Sequence, residues 1–294
     1  DIFYLLGRSY HLNYEFDNAI RSYQRCLEPD IISDLEVEKE KINVYIRQCN
    51  NGKDLIENPI RVNVTNMGRQ INSSYEDYGP VFLGDSILYF TSRRKHEKND
   101  RRWPGDEGFY SDIYKAKKRE GHWLRAKLIS DDLFSRHNDA IVEATVNPKR
   151  LYVYRGHKDQ GDLYYYEWDN DKWRGPKNFS RMINTNAQES SMCFSEDGNT
   201  VYFVSNLEDE SFGKKDIFFS NKDERGKWMY PSNVGGIVNT NLNEEGVFVN
   251  STGDKMYFSS EGHNSMGGYD IFVSERDADG HWQEPKNIGY PVNT

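Results

Sequence analysis

No stretch of 18 consecutive apolar residues occurs anywhere in the 294-residue chain, which rules out a membrane-crossing helix within it. Cysteine is nearly missing: Cys26, Cys49 and Cys193 are too few and too scattered for a disulfide framework or a zinc site. No C-x-x-C pair offers thiol redox chemistry either. Positive charge is in deficit, with 38 Lys and Arg against 47 Asp and Glu, a formal net charge of −9. A phosphate backbone attracts the opposite balance, so nucleic acid is removed as a partner. Catalytic signatures are absent as well: there is no G-x-S-x-G, H-E-x-x-H, Walker loop or dinucleotide fingerprint. The 7 His include no i, i+4 pair. These absences predict a chain that is not an enzyme and that holds no cofactor and no metal.

Aromatic residues are plentiful. Twenty Tyr, 15 Phe and 6 Trp accompany a mean hydropathy of −0.89, too aromatic for a solvated coil and too polar for one thick aliphatic core. Thin, twisted sheets fit both facts. The chain opens at Asp1, already inside a helical pattern and without an initiator Met, which reads as a piece of a longer protein.

Residues 1–50 carry helical spacing. Phe3, Leu6 and Tyr10 lie on one face of a first helix, and Phe16, Ala19, Ile20, Tyr23 and Leu27 on one face of a second. Gly7 and Ala19 are small where two antiparallel helices would approach closely. A third helix is predicted from about Leu35 to Cys49, followed by a connector over 51–60 (NGKDLIENPI) broken by Gly and Pro.

From residue 61 the pattern turns to strands and repeats itself. An aromatic strand recurs around Tyr89, Tyr152, Tyr202 and Tyr257, and a D-[IL]-[FY] strand begins at Asp112, Asp162, Asp216 and Asp270. A turn and a Trp follow each time, at Trp123, Trp173, Trp228 and Trp282, and an N-T pair closes the later units at Asn184, Asn239 and Asn293. Four short strands per unit, with a mean Trp period of 53 residues, match a propeller blade rather than a sandwich. Such a blade has two apolar faces and can bury neither until neighbours stack on it. The predicted fold is therefore mainly β: a β-propeller with four blades present, part of a six-bladed ring, preceded by the helical segment. Its blades fall at about 74–135, 136–185, 186–240 and 241–294. Residues 61–73 (RVNVTNMGRQINS) read as an orphan outer strand that would close a further blade.

The helical segment, with L-G-x-x-Y at Leu6, Gly7 and Tyr10 and then Ala19 and Tyr23, resembles a tetratricopeptide repeat. The blades resemble the TolB-type, WD40-like (PD40) repeat. Together with the junction NVTNMGRQINSSYEDYGPVF, the combination is similar to OmpA-family envelope proteins of Bacteroidetes-type bacteria, including PorE-like proteins of type IX secretion and gliding. The resemblance implies a scaffold in the periplasm, associated with the outer membrane. Its partners would be other envelope proteins, met through the tetratricopeptide-like segment and the propeller. Peptidoglycan would be reached only through a domain outside this chain, with no direct membrane span.

Four features compete for a chemical role. Asp77, Asp139, Glu189 and Glu244 stand where the outer strand of one blade crosses to the inner strand of the next. They would either line the channel mouth and hold a cation or basic segment, or accept backbone N–H groups in the crossing turn. The D-[IL]-[FY] Asp recurs once per blade, as a structural cap would. The loop after Ser92 carries Arg93, Arg94, Lys95, Arg101 and Arg102 and is either a docking loop for an acidic partner or a solvated insertion. SEDGNT (195–200) resembles a shortened sialidase Asp-box, and the Asp277, Asp279, Gly280 run has the look of a calcium loop without its bidentate Glu. The alternative to a protein scaffold is a carbohydrate-binding or glycan-active propeller.

Overall fold

Two short helices and a long one open the chain in the structure, a computed structural model that describes residues 2–28, 36–95, 102, 103, 108–130, 133, 138–146, 149–157 and 160–294. They are α1 (Ile2–Leu12), α2 (Phe16–Cys26) and α3 (Glu36–Glu57). The small residues set how closely they pack. A Cβ on Gly7 would lie 2.5 Å from Tyr23 Cε1, so the aromatic ring of α2 rests directly on the α1 backbone. Ala19, Tyr23, Cys26 and Cys49 are fully buried in the resulting core.

The connector expected over 51–60 is corrected: residues 51–57 belong to α3. Gly52 looked like a breaker, but a Cβ there would fall 2.5 Å from Phe16 Cζ. The glycine makes room for a ring. Its helix cost of about 1 kcal/mol is offset by the packing it allows. The helix ends two residues before Pro59, whose ring disfavours helical geometry in the residue preceding it.

Four antiparallel sheets follow in sequence order. The first contains β1 (Asp77–Leu83), β2 (Ile87–Ser92), β3 (Asp112–Arg119), β4 (His122–Trp123) and β5 (Lys127–Leu128). The second contains β6 (Asn138–Val146), β7 (Lys149–His157), β8 (Gln160–Asp169) and β9 (Lys172–Asn178). The third contains β10 (Glu189–Phe194), β11 (Thr200–Ser205), β12 (Asp216–Asn221) and β13 (Ser232–Asn233). The fourth contains β14 (Glu244–Val249), β15 (Lys255–Ser260), β16 (Asp270–Glu275) and β17 (Lys286–Asn287). The last three are meanders in which each strand pairs with the next, and in the first β4 and β5 both pair with β3. This is a mainly β, four-blade propeller arrangement with a short N-terminal helical segment.

The chain divides into two compact units, each considered by itself. The first comprises Asp1–Val64, Gly235–Glu245 and Asp254–Thr294, and the second Thr65–Val234 and Gly246–Gly253. In the second unit the cores lie between blades. Tyr89 and Ile113 of the first sheet pack with Ile141, Leu151, Val153 and Tyr166 of the second. On its other face, Tyr152 and Leu163 pack with Met192, Phe203 and Phe218 of the third. Every side chain of β11 from Val201 to Ser205 is buried, because both sides of the strand are covered. Each blade Trp lies under a basic side chain: Lys118 on Trp123, Lys149 on Trp173, Lys222 on Trp228 and Arg276 on Trp282, 4.3–5.7 Å from the ring centroids.

Residues 61–73 contain no strand, which corrects the expected outer strand. The turn of the motif is nevertheless present. Ile71 N and Asn72 N bond Gly68 O, as Val292 N and Asn293 N bond Gly289 O at the end of the fourth blade. Gly68 N donates to Asn66 Oδ1 at 2.7 Å, and Gly289 N to Asn287 Oδ1 at 2.8 Å. The difference lies in what the turn meets. Asn293 exchanges two hydrogen bonds with the backbone of Ile271 in β16, whereas Asn72 Oδ1 is buried with no hydrogen-bond partner among the described residues. A strand forms only where its edge is paired.

Candidate functional site

Three of the crossing-turn acids, Asp77, Glu189 and Glu244, are anchors built from one local pattern. Glu189 accepts from Thr185 N and Oγ1 and from Ser205 Oγ, at 3.3, 2.9 and 3.0 Å. Glu244 accepts from Thr240 N and Oγ1 and from Ser260 Oγ, at 3.0, 2.8 and 2.7 Å. Asp77 accepts from Ser73 N and Oγ and from Arg94 Nη2, and Asp139 from Arg155 Nε at 2.8 Å. Glu189 and Glu244 are fully buried. Burial pushes the Glu189 carboxyl up, against the pull of its Thr185 and Ser205 donors. At Asp77 burial also raises, but Ser92, Arg94 and Ser73 outweigh it and hold the carboxyl below its usual range. Asp77, Glu189 and Glu244 thus take the N–H of the residue four positions earlier, while Asp139 is met by Arg155.

The basic loop is less free than its composition suggests. Arg93 Nε donates to Phe109 O at 2.8 Å, and Arg94 reaches Ile71 O and Asp77 with its guanidinium 4.6 Å over the Tyr114 ring. Arg102 covers Phe109 at 5.0 Å. Lys95 is exposed, and Arg101 lies outside the described residues. Asp277, Asp279 and His281 come close enough to hold a metal ion. Asp277 Oδ1, however, accepts from Asp279 N and His281 N, and Asp223 Oδ1 accepts identically from Arg225 N and Lys227 N. A turn that forms equally well with Arg and Lys is a hairpin device. Asp197 of the Asp-box-like run likewise binds its own turn through Ser195 and Asn199.

What sequence reading missed is a loop motif. S-[MF]-G occurs four residues before the Asp of the third strand, as Ser265-Met266-Gly267 and Ser211-Phe212-Gly213. The strand Asp holds the loop: Met266 N donates to Asp270 Oδ2 at 2.7 Å, and Phe212 N to Asp216 Oδ2 at 2.7 Å. An outer-strand Asn braces each, with Asn287 bonding Asp270 and Asn264 O, and Asn233 bonding Asp216 and Glu210 O. In the first unit the helices sit on this loop. His11 Nε2 bonds Met266 O at 2.8 Å, Asn51 Nδ2 donates to Ser265 O at 2.9 Å, and Gln48 Nε2 donates to Glu261 O at 3.3 Å. Met266 enters the helical core beside Phe16, Tyr23 and Cys49. Burial holds the His11 imidazole below its ordinary range, keeping it neutral. Two aligned spacings could have revealed the motif, but only once the Asp was known to hold a loop.

One further acid escaped notice because it is not repeated. Glu143 follows a register shift in β6, and burial pushes its carboxyl up to about 7 against the pull of the Ala144 N–H. Beside the Phe212 loop, an open groove of about 740 Å³ is lined by Arg181, Met182, Asn186, Leu207, Asp209 and Tyr230.

The sequence matches no protein-family profile and no curated protein. Several solved structures are similar to the chain in part. TolB from Acinetobacter baumannii is 14% identical with a TM-score of 0.43, over 72% of this chain and 43% of that one, so the chain spans less than half of that protein. A glycosyl hydrolase from Bacteroides ovatus is 10% identical with a TM-score of 0.42, over 74% and 71% of the two chains. A member of the mannoside phosphorylase family, described as containing hydrolases that target β-1,2 mannosidic linkages in Candida mannan, is 11% identical with a TM-score of 0.45, over 75% and 73%. Named glycoside hydrolases stand among the structures the chain is similar to, and the expectation that the chain is not an enzyme is withdrawn. At these identities and TM-scores the likeness assigns no activity or role to this chain.

Proposed function

We propose that the chain is an interaction scaffold of the bacterial cell envelope. In this reading it is periplasmic and forms part of an outer-membrane-associated protein of the OmpA family, linked to secretion or envelope assembly. The helical segment acts as a tetratricopeptide-like element, and envelope proteins bind it and the blade loops. Peptidoglycan is reached only through a domain outside these residues. One observation carries the reading: the loop around Met266 already receives polypeptide, taking donors from His11, Gln48 and Asn51 onto its carbonyls. No described helix is long and apolar enough to cross a membrane, in keeping with a role beside the membrane. Fractionation of cells producing the full-length protein, followed by cross-linking, tests it. Recovery in the envelope fraction with a defined set of protein partners is expected, and recovery in the cytoplasm without partners would overturn it.

A glycan-active reading is favoured by one residue, Glu143, whose near-neutral carboxyl suits an acid that gives up a proton at working pH. Turnover of a glycan in a substrate screen, abolished by Glu143→Gln, would establish that reading. Absence of turnover by the unsubstituted protein would end it.

A further inference from the structure

Phe212 and Met266 occupy the same place in two copies of one loop, and their surroundings differ completely. Each backbone N–H is held at 2.7 Å by the Asp that opens the third strand of its blade. Met266 is 1% exposed, sunk among helical side chains. Phe212 is 57% exposed. A large aromatic side chain on a loop fixed by a buried Asp and a bracing Asn is held rigidly in water, at a cost that solvent does not offset. The groove lined by Met182, Leu207 and Tyr230 continues along the same loop, and Met182 and Tyr230 are themselves 53% and 58% exposed.

We infer that blade three binds an amphipathic α-helical segment of a partner protein over Phe212, in the manner in which α1–α3 cover Met266. This rests on the scaffold reading above and names its site and the chemistry of its partner. The occupant follows from the fourth blade. There the loop offers two successive carbonyls, of Ser265 and Met266, which take an amide and an imidazole from different helices while the Met fills a hollow between them. The third blade repeats the S-[MF]-G sequence and holds its central N–H by the strand Asp at the same distance, so its carbonyls are assigned to donors spaced on a helix face as well. The bulkier Phe calls for a hollow lined by small residues, as Gly52 makes room for the Phe16 ring. Charge refines the choice. Glu208, Asp209 and Glu210 precede Phe212 and are exposed, whereas the fourth blade has His263 and Asn264 in the corresponding stretch. A helix carrying Lys or Arg toward that end is matched, and Lys214 on the other side of Phe212 favours an acid toward the opposite end.

The test places a photoreactive benzoylphenylalanine at position 212 of the full-length protein in producing cells and maps its adducts by mass spectrometry. Adducts on one partner protein at residues three or four apart are expected. Retention of that partner should fall roughly tenfold or more with Phe212→Asp, as for an interface anchor, while the melting temperature changes little because most of the side chain is exposed. Adducts at alternate residues of the partner would indicate an added strand and overturn the proposal. So would recovery of a glycan from the groove, or capture of the same partner from Lys95 or Trp168 but not from position 212. In that last case the scaffold reading stands and only the site fails. Absence of any protein partner from all positions removes both.

Discussion

Blades three and four follow the same recipe to different ends. Their third strands begin with a buried Asp, their loops read S-[MF]-G, and in each the Asp accepts from the Phe or Met N–H and from an outer-strand Asn, while Asp216 also takes Gly213 N. In the fourth blade the loop side chain disappears into a helical core, and in the third it stands in solvent. The repeat therefore builds a rigid platform, and what the platform carries is settled by a single side chain and its neighbours. Rigidity and occupancy are separate properties, each open to its own test.

The largest effect is expected where the platform is occupied. Met266→Asp places a carboxylate among Phe16, Tyr23 and Cys49 and should cost about 4 kcal/mol or release the helices from the loop. Hydrogen exchange of the α2 and α3 amides would report it. Protection equal to that of the unsubstituted chain would mean that the helices do not depend on the loop.

Removing the anchor sharpens the other half of the comparison. Asp216→Ala strips the acceptor from Phe212 N, Gly213 N and Asn233 and should cost about 2–3 kcal/mol in chemical denaturation. Asp270→Ala, which strips Met266 N and Asn287, should cost a comparable amount. A loss confined to one blade would show that the two loops are not held alike.

The smallest effect is one of pH. The imidazole of His11 lies between Met266 O and the Tyr23 hydroxyl, with Arg8 nearby, and burial keeps its folded value below that of the free side chain. The unfolded chain then binds the proton more readily, so stability falls as pH drops below about 6.5. Acidification should loosen the helices on the fourth blade and leave the Phe212 loop, which has no such histidine, unchanged. Exchange rates at pH 7.5 and 5.5 would check it, and His11→Gln should remove the dependence.

Much of this architecture was readable in one dimension. A spacing of 11 or 12 from Asp to Trp and a constant 11 from Trp to Asn marked the blades, because a hairpin of given length and a strand of given register allow few insertions. The four crossing acids were found in the same way. The errors came where one residue type serves two purposes. Gly52 reads as a breaker in any sequence, and only the Phe16 ring resting on it shows otherwise. Arg93 and Arg94 look like a solvated cationic loop until the backbone carbonyls and rings they meet are in place. Residues 61–73 carry the letters of an outer strand, but the bonds they receive, Ala126 N on Gln70 O and Arg94 on Ile71 O, are isolated ones and no ladder forms.

By itself, then, the order of residues determined the repeating unit, its strand pattern and its turns, since these rest on interactions between neighbours along the chain. Only the tertiary structure decided that Met266 is covered and Phe212 is not, and that burial pushes the Glu143 carboxyl up to about 7. Burial depends on which distant segments arrive at a surface, and no local spacing encodes that arrival.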